Sequence, residues 1–151
     1  MKIGIAADHG GFFLKQQVKE ILEEQGFSVT DFGADELDPQ DDYPDLVAPL
    51  ARAVSVGLVD RGIAVCGSGV GAAIVANKFP RVRAALVTET YSARQGVEHD
   101  NMNLICLGGR VIGPELAREL IFAFIKAHYT GEIRHQRRLK KLEKIEGQNF
   151  K

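Results

Sequence analysis

The sequence predicts an α/β protein: a three-layer αβα, Rossmann-like domain with a five-stranded parallel sheet and a basic helix at its carboxyl end. Three observations predict it. Short β-rich runs alternate with longer stretches of helical periodicity, the pattern of strand–helix–strand units. Most of the strand-like runs are apolar throughout, so both of their faces are expected to be covered. The 151 residues, 45% of them hydrophobic, suffice for one core and contain no linker, repeat or low-complexity tract. A single domain over residues 1–151 is therefore expected.

Each element has its own signal. KIGIAA at 2–7 is the first strand, and Phe12, Leu14, Val18, Ile21 and Leu22 then recur at helical spacing until Gly26 stops the helix. FSVTDF at 27–32 is the second strand. Tyr43-Pro44 opens a helix running through Gly57, with Pro44 suited to a first turn that needs no backbone N–H. GIAVCG at 62–67 leads into a short helix over 70–78. VRAALVT at 82–88 is the fourth strand, 91–98 the fourth helix and NLICLG at 103–108 the fifth strand. Gly113-Pro114 starts a long helix to about His128, and the basic helix follows Gly131.

Composition excludes several classes. No window approaches the roughly 18 continuous apolar residues of a membrane helix. The opening MKIGIAADHGG lacks the zones of a signal peptide, so a cytoplasmic protein is expected. Cys66 and Cys106 are too few and too far apart for a disulfide framework or a zinc site, and both are expected as reduced thiols. A net charge of −1 with interleaved signs offers no field for nucleic acid or a membrane surface. The one exception is IRHQRRLKKLEK, which reads either as a solvated helix face or as something more specific.

In open sheets of this kind, ligands gather outside the carboxyl ends of the strands. That edge holds Asp8, His9, Gly33, Cys66 to Gly71, Thr88, Glu89 and Gly108 to Arg110. His99 and Asp100, ending the fourth helix, are expected to approach it too. Gly67, Gly69 and Gly71 lie between a strand and a helix, where bare N–H groups can come close to an anion. The same helix start favours a thiolate at Cys66, which reads as a base or nucleophile, or else as a small core residue. Gly67, Gly69 and Ala72 also satisfy a dinucleotide fingerprint with Glu89 as its ribose acid, but the fingerprint sits on the third strand and only two strands follow. Asp8-His9-Gly10-Gly11 reads as a capped turn or as a second contact to the ligand. Asp8, His9 and His99 lack the spacing of the common metal motifs, so no metal is expected.

Arg134 and Arg138, four residues apart, project from one helix face as a clamp for a phosphate dianion would, with His135 and Arg137 on neighbouring faces. A helix over 130–151 carrying such a clamp has to dock somewhere useful, and the cleft of a second subunit is one such place. That makes a dimer the expectation.

AADHGG, DYPD, CGSGVG followed by ANK, YSA, EHDNMN, LGGRVIG and IRHQRR together resemble the type B ribose-5-phosphate isomerases and their galactose-6-phosphate relatives, from the first strand to the last helix. The resemblance implies an aldose–ketose isomerase converting ribose 5-phosphate and ribulose 5-phosphate through a cis-enediolate, without metal or cofactor. By that resemblance Cys66 is the base; the glutamate some relatives place after the glycine loop is Ala72 here. Ser68 matches a hydroxyl residue that moves a proton between the substrate oxygens, and the amides of Gly67, Gly69, Val70 and Gly71 stabilise the enediolate.

His99 matches the residue that opens the sugar ring, a duty suited to an imidazole titrating near 6.5. Asp8 and Tyr43 would contact sugar hydroxyls, while His9, Arg110, Arg134 and Arg138 would gather around the phosphate. The resemblance also implies a homodimer or dimer of dimers with shared active sites. One departure stands out. Relatives read His-Asn-Asp where this chain reads His99-Asp100-Asn101, which leaves Asp100 and Asn101 as substrate contacts but opens the sugar's identity to another pentose phosphate or to a tetrose, allose or galactose phosphate. The remaining alternative is a non-catalytic nucleotide- or phosphosugar-binding module.

Overall fold

Large and small side chains alternate along the central strands, and the alternation sets how closely each helix layer packs. In β1 (Lys2–Ala7), Ile3, Ile5 and Ala7 join one core cluster while Ala6 joins the other. In β3 (Arg61–Cys66), Ile63 and Val65 oppose Ala64 and Cys66 in the same way, and in β5 (Leu104–Gly108), Ile105 and Leu107 oppose Leu104 and Cys106. The large side packs against α1 (Phe12–Glu24), α4 (Thr90–Asp100) and α5 (Pro114–Lys126). The small side takes α2 (Tyr43–Ser55) and α3 (Val70–Ala76). A Cβ at Gly4 would stand 2.5 Å from Leu50 Cδ1, so α2 seats directly on the sheet only because β1 is bare there.

The computed structural model describes residues 1–150. Its sheet has the order β2-β1-β3-β5-β4, with β2 (Ser28–Asp31) and β4 (Ala84–Leu86) at the edges and every pairing parallel. This is the three-layer α/β architecture expected. The chain winds outward in opposite directions from β1 and β3, so a crevice opens where their two exit loops diverge.

The edges differ from expectation. VRAALVT pairs only over Ala84–Leu86, and Leu86 is 38% exposed. The reading that both strand faces are covered holds for β1, β3 and β5 but not for the short edge strands, a common means of blunting a sheet edge. The basic helix α6 (Ile133–Asn149) is seated on its own chain by the buried His135 and by Glu146, which accepts the Arg81 N–H at 2.9 Å. No helix among the described residues is long and apolar enough to cross a membrane.

One buried charge braces the loop between β2 and α2. Lys15 is fully buried, and its Nζ donates to both Asp31 oxygens at 2.9 and 3.1 Å and to the Ala34 carbonyl at 2.6 Å. Burial alone would raise the Asp31 pKa, yet bonds from Lys15, the Gly33 N–H and Lys19 outweigh it and hold the carboxyl below its ordinary range.

Candidate active site

Three turns interlock at the carboxyl edge. Those after β1, β3 and β5 touch backbone to backbone: a Cβ at Gly10 would lie 2.8 Å from Gly67 N, and one at Gly109 would lie 2.5 Å from Gly10 O. The Gly109 N–H donates to Cys66 O at 2.8 Å and the Arg110 N–H to Gly67 O at 3.0 Å. Several of these glycines therefore serve turn-against-turn packing rather than ligand approach. Gly69 has a positive φ of 84°, a region that only glycine enters freely, and starts α3.

Cys66 stands at the floor of this assembly. Only 4% of it is exposed, yet it lines a hollow of about 410 Å³ together with Asp8, Tyr43, Gly67, Ser68, Gly71, Arg110 and Val111. Its Sγ accepts the Gly69 N–H at 3.1 Å. Both readings of the cysteine thus meet in one residue, which belongs to the α2/α3 core and also lines the hollow. Cys106 has no such opening: burial first, and the neighbouring Cys66 second, push its thiol pKa far up.

The side chains around the sulfur are held locally. Asp8 is buried and accepts the Gly11 N–H at 3.2 Å, closing the turn without capping α1. Ser68 Oγ accepts the Val70 N–H at 3.3 Å. Arg110 lies alongside Gly67, its Nη1 3.7 Å from a Cβ built there, and the Tyr43 ring lies 2.8 Å from the equivalent point at Gly71.

His9 brings a partner the sequence did not announce. Asp41 Oδ1 accepts the His9 ring Nδ1–H at 2.6 Å and the His9 backbone N–H at 3.0 Å. That bond raises the His9 pKa above its ordinary value; burial opposes it, the charges of Asp8 and Asp41 add to it, and Arg110 acts against it. Asp8, His9 and Asp41 offer ligand atoms within 4.8 Å of one another. With a proton on Nδ1, however, the histidine is a donor to the carboxylate and reads as half of a hydrogen-bonded pair. The only sequence signal was an acid just before Tyr43-Pro44, in a run of acids that reads as an ordinary polar loop.

His99 and Asp100 do not reach this edge, contrary to expectation. A helix that returns the chain to a parallel strand ends at the strands' amino end, and α4 does so: just past it, the Asn103 carbonyl accepts the Gly62 N–H at the start of β3. There the His99 ring stacks on His135, its Nδ1 2.7 Å from the Gln95 amide. Asn101 takes a left-handed conformation at φ 53° as the C-cap of α4, which asparagine tolerates, and Asp100 borders a separate apolar hollow with Met102, Leu142, Ile145 and Phe150. Arg134 pairs with Glu132 at 2.9 Å near the same end, and Arg138 lies close enough to act on the His135 charge. One chain therefore holds Asp8, His9, Tyr43, Ser68, Arg110 and the glycine loop around Cys66, while His99, Asp100, Asn101 and the two arginines form a second group.

The dinucleotide reading loses its acid. Both Glu89 carboxylate oxygens accept the Ser92 N–H, at 2.9 and 3.0 Å, as the N-cap of α4, and that bond lowers the Glu89 pKa.

Comparison with known proteins adds an independent line. The ribose-5-phosphate isomerase B of Escherichia coli is 41% identical to this chain over 96% of each protein. A D-erythrulose-4-phosphate isomerase of Pectobacterium atrosepticum is 42% identical over 87% of this chain and 86% of its own. The structure of the Clostridium thermocellum ribose-5-phosphate isomerase B superposes with a TM-score of 0.94 at 43% identity, covering 98% of this chain and 99% of that one. The family model for ribose/galactose isomerases matches residues 3–142, from β1 into α6. With the sheet order, the glycine turns and the cysteine hollow in place over that whole span, the chain belongs to the ribose/galactose isomerase family.

Proposed function

We propose that this chain interconverts D-ribose 5-phosphate and D-ribulose 5-phosphate, with Cys66 as the base. The observation that carries the reading is that Cys66 lines one hollow with Ser68, Asp8, Tyr43 and Arg110 while its sulfur accepts an N–H from the glycine loop. In the open-chain aldose, Cys66 takes the proton from C2 while the carbonyl oxygen on C1 gains one, giving an enediol. The same thiol returns its proton to C1, and the hydroxyl on C2 loses its proton to become the ketone. Ser68 sits beside Cys66 to relay between the two oxygens, and N–H groups of the loop meet the negative charge as it develops.

Arg110 and His9 suit the phosphate end of the substrate. His99 suits ring opening, and Arg134 and Arg138 suit phosphate binding, but in one chain these three stand with the far group. The reading therefore includes a homodimer, or a dimer of dimers, in which a second copy brings its α4 and α6 ends to the cleft of the first. No metal or other cofactor enters it, nor does nucleic acid or a membrane, and a cytoplasmic location accords with it.

A second substrate has specific support. A D-erythrulose-4-phosphate isomerase matches this chain at nearly the same identity as the pentose enzyme, 42% against 41%, over a somewhat shorter span, so a tetrose phosphate belongs in the test. Purified protein in EDTA is offered pentose, tetrose and hexose phosphates, and ribose 5-phosphate is expected to turn over fastest. Cys66→Ala is expected to lose at least about a hundredfold in turnover while keeping its fold. Cys106→Ala, changed in the closed core, is expected to retain most activity. Near-normal turnover in the Cys66 variant would remove the base assignment, and no turnover on any sugar phosphate would leave the binding-module alternative.

A further inference from the structure

We propose that Asp41 is a positioning residue for the phosphate end of this site: one of its oxygens fixes the orientation and protonation of His9, so that the ring offers Nε2–H to a phosphate dianion. The proposal rests on the sugar-phosphate reading above. Its geometry is unusual in using one oxygen for two bonds to the same residue. Asp41 Oδ1 receives both the backbone N–H and the ring Nδ1–H of His9, so the imidazole cannot turn without breaking the pair.

The consequence follows from the two forms of the ring. A carboxylate has no proton to give, so Nδ1 must carry one. A neutral His9 held this way has only a lone pair at Nε2, which would repel a phosphate oxygen. Only the imidazolium has an Nε2–H to donate, and a charge-assisted bond to a dianion is among the stronger ones.

The surroundings favour that cation. The second Asp41 oxygen is buried and has no hydrogen-bond partner, so His9 is the group that compensates the carboxylate charge. The Asp41 side chain is 13% exposed, while the His9 ring keeps 31% of its surface open to an incoming group. Three charged groups face His9: Asp41 and Asp8 favour the imidazolium and Arg110 opposes it, with the balance in favour. The His9 contribution to phosphate affinity, read as the difference from Asp41→Asn at each pH, should therefore depend on pH around the elevated His9 pKa.

The test is direct. The His9 imidazole is followed by NMR against pH in the full-length protein and in Asp41→Asn, its signals assigned by their loss in His9→Gln, with inorganic phosphate as the binding probe. In the wild type His9 is expected to titrate above about 6.5. In Asp41→Asn, whose amide oxygen still accepts the Nδ1–H, the midpoint is expected to fall. Phosphate binding by that variant should weaken about three- to tenfold near pH 7.5 and converge with the wild type near pH 5.5, where both rings are charged. Adding Asp41→Asn to His9→Gln should weaken binding no further.

An unmoved midpoint, or a loss of affinity equal at all pH, overturns the proposal, because a merely structural Asp41 predicts just that. Should the variant fail to fold, the wild-type titration decides, and a midpoint at or below the ordinary value overturns it. None of these readouts uses turnover, so an absent isomerase activity would overturn the functional reading and leave the Asp41 result to be judged on its own.

Discussion

The imidazoles of His99 and His135 stack with centroids 4.0 Å apart and planes 28° from parallel, one from the last turn of α4 and the other from the first turn of α6. Each ring is also held at its Nδ1, His99 by Gln95 at 2.7 Å and His135 by Thr130 at 2.9 Å. His135 is 1% exposed and its Nε2 has no hydrogen-bond partner. Burial, the His99 charge, and Arg134 and Arg138 push its pKa down against the pull of Glu132, so the fold favours the neutral ring.

That neutrality fixes a sign. As pH falls through about 6.5, the unfolded chain takes up a proton at His135 that the folded chain refuses. Stability is full above that pH, declines below it, and levels off only beneath the lower folded pKa. His135→Asn is expected to show a flatter decline in its urea midpoint between about pH 7.5 and 5 than the wild type. Parallel curves would assign the decline to other groups.

The interlocked glycines give a second expectation. A methyl at Gly109 meets backbone, 2.5 Å from Gly10 O and 3.0 Å from Gly11 Cα, and neither atom belongs to a flexible side chain. Gly109→Ala is expected to cost about 1–3 kcal/mol and to lower turnover, because the Gly109 N–H holds the Cys66 carbonyl. Gly113→Ala is the control, since a Cβ there meets nothing within 4 Å and the backbone φ is an ordinary −85°. Equal stability of the two variants by thermal melting would refute the packing argument.

These turns show where sequence reading succeeds and where it stops. Local signals located all eleven elements because burial and turn chemistry act on each locally: the apolar run of β1, the spaced apolar residues of α1 and the Pro at the start of α2 each carry their own. Cys66, Asp8, Ser68 and Arg110 were legible as site candidates because strand ends and glycines mark one edge, whereas Tyr43, at a helix start, was legible only through the family resemblance. Asp41 was not, because its partner His9 lies 32 positions away and nothing local distinguishes it from Asp42. The misplacement of His99 came from treating a helix end near a strand as near the ligand edge, when the direction of the helix decides which edge it meets. Lys15, too, reads as a solvated lysine until the fold closes over it.

Lys15 and Asp31 supply a further expectation. Replacing the lysine by methionine leaves a mostly buried carboxylate with only Lys19 and the Gly33 N–H, and is expected to cost about 3–5 kcal/mol at neutral pH. Because the folded Asp31 pKa lies below its ordinary value, the pair's contribution is complete above about pH 4 and is lost as pH falls through the folded value. The gap between wild type and Lys15→Met should therefore narrow in acid, and Lys15→Met with Asp31→Asn should recover part of the loss. A gap in denaturant midpoint that stays constant down to about pH 3 would show that lost packing, not the ion pair, is responsible.

The last expectation concerns the two groups at opposite edges of one sheet. A six-residue strand such as β3 spans about 20 Å, so within one chain His99 cannot serve the sulfur at the end of that strand. If a second copy supplies His99 to each cleft, Cys66→Ala and His99→Asn damage different halves of a shared site. Each homodimer should convert cyclic ribose 5-phosphate poorly. Unfolding the two variants together and refolding them should give about half heterodimers, each with one site carrying both changes and one carrying neither, and so about a quarter of wild-type turnover. The His99 variant alone should retain more activity in the direction that starts from open-chain ribulose 5-phosphate. Refolded mixtures no more active than their parents would place both residues in one chain's site, and an unimpaired His99→Asn homodimer would remove ring opening from that residue altogether.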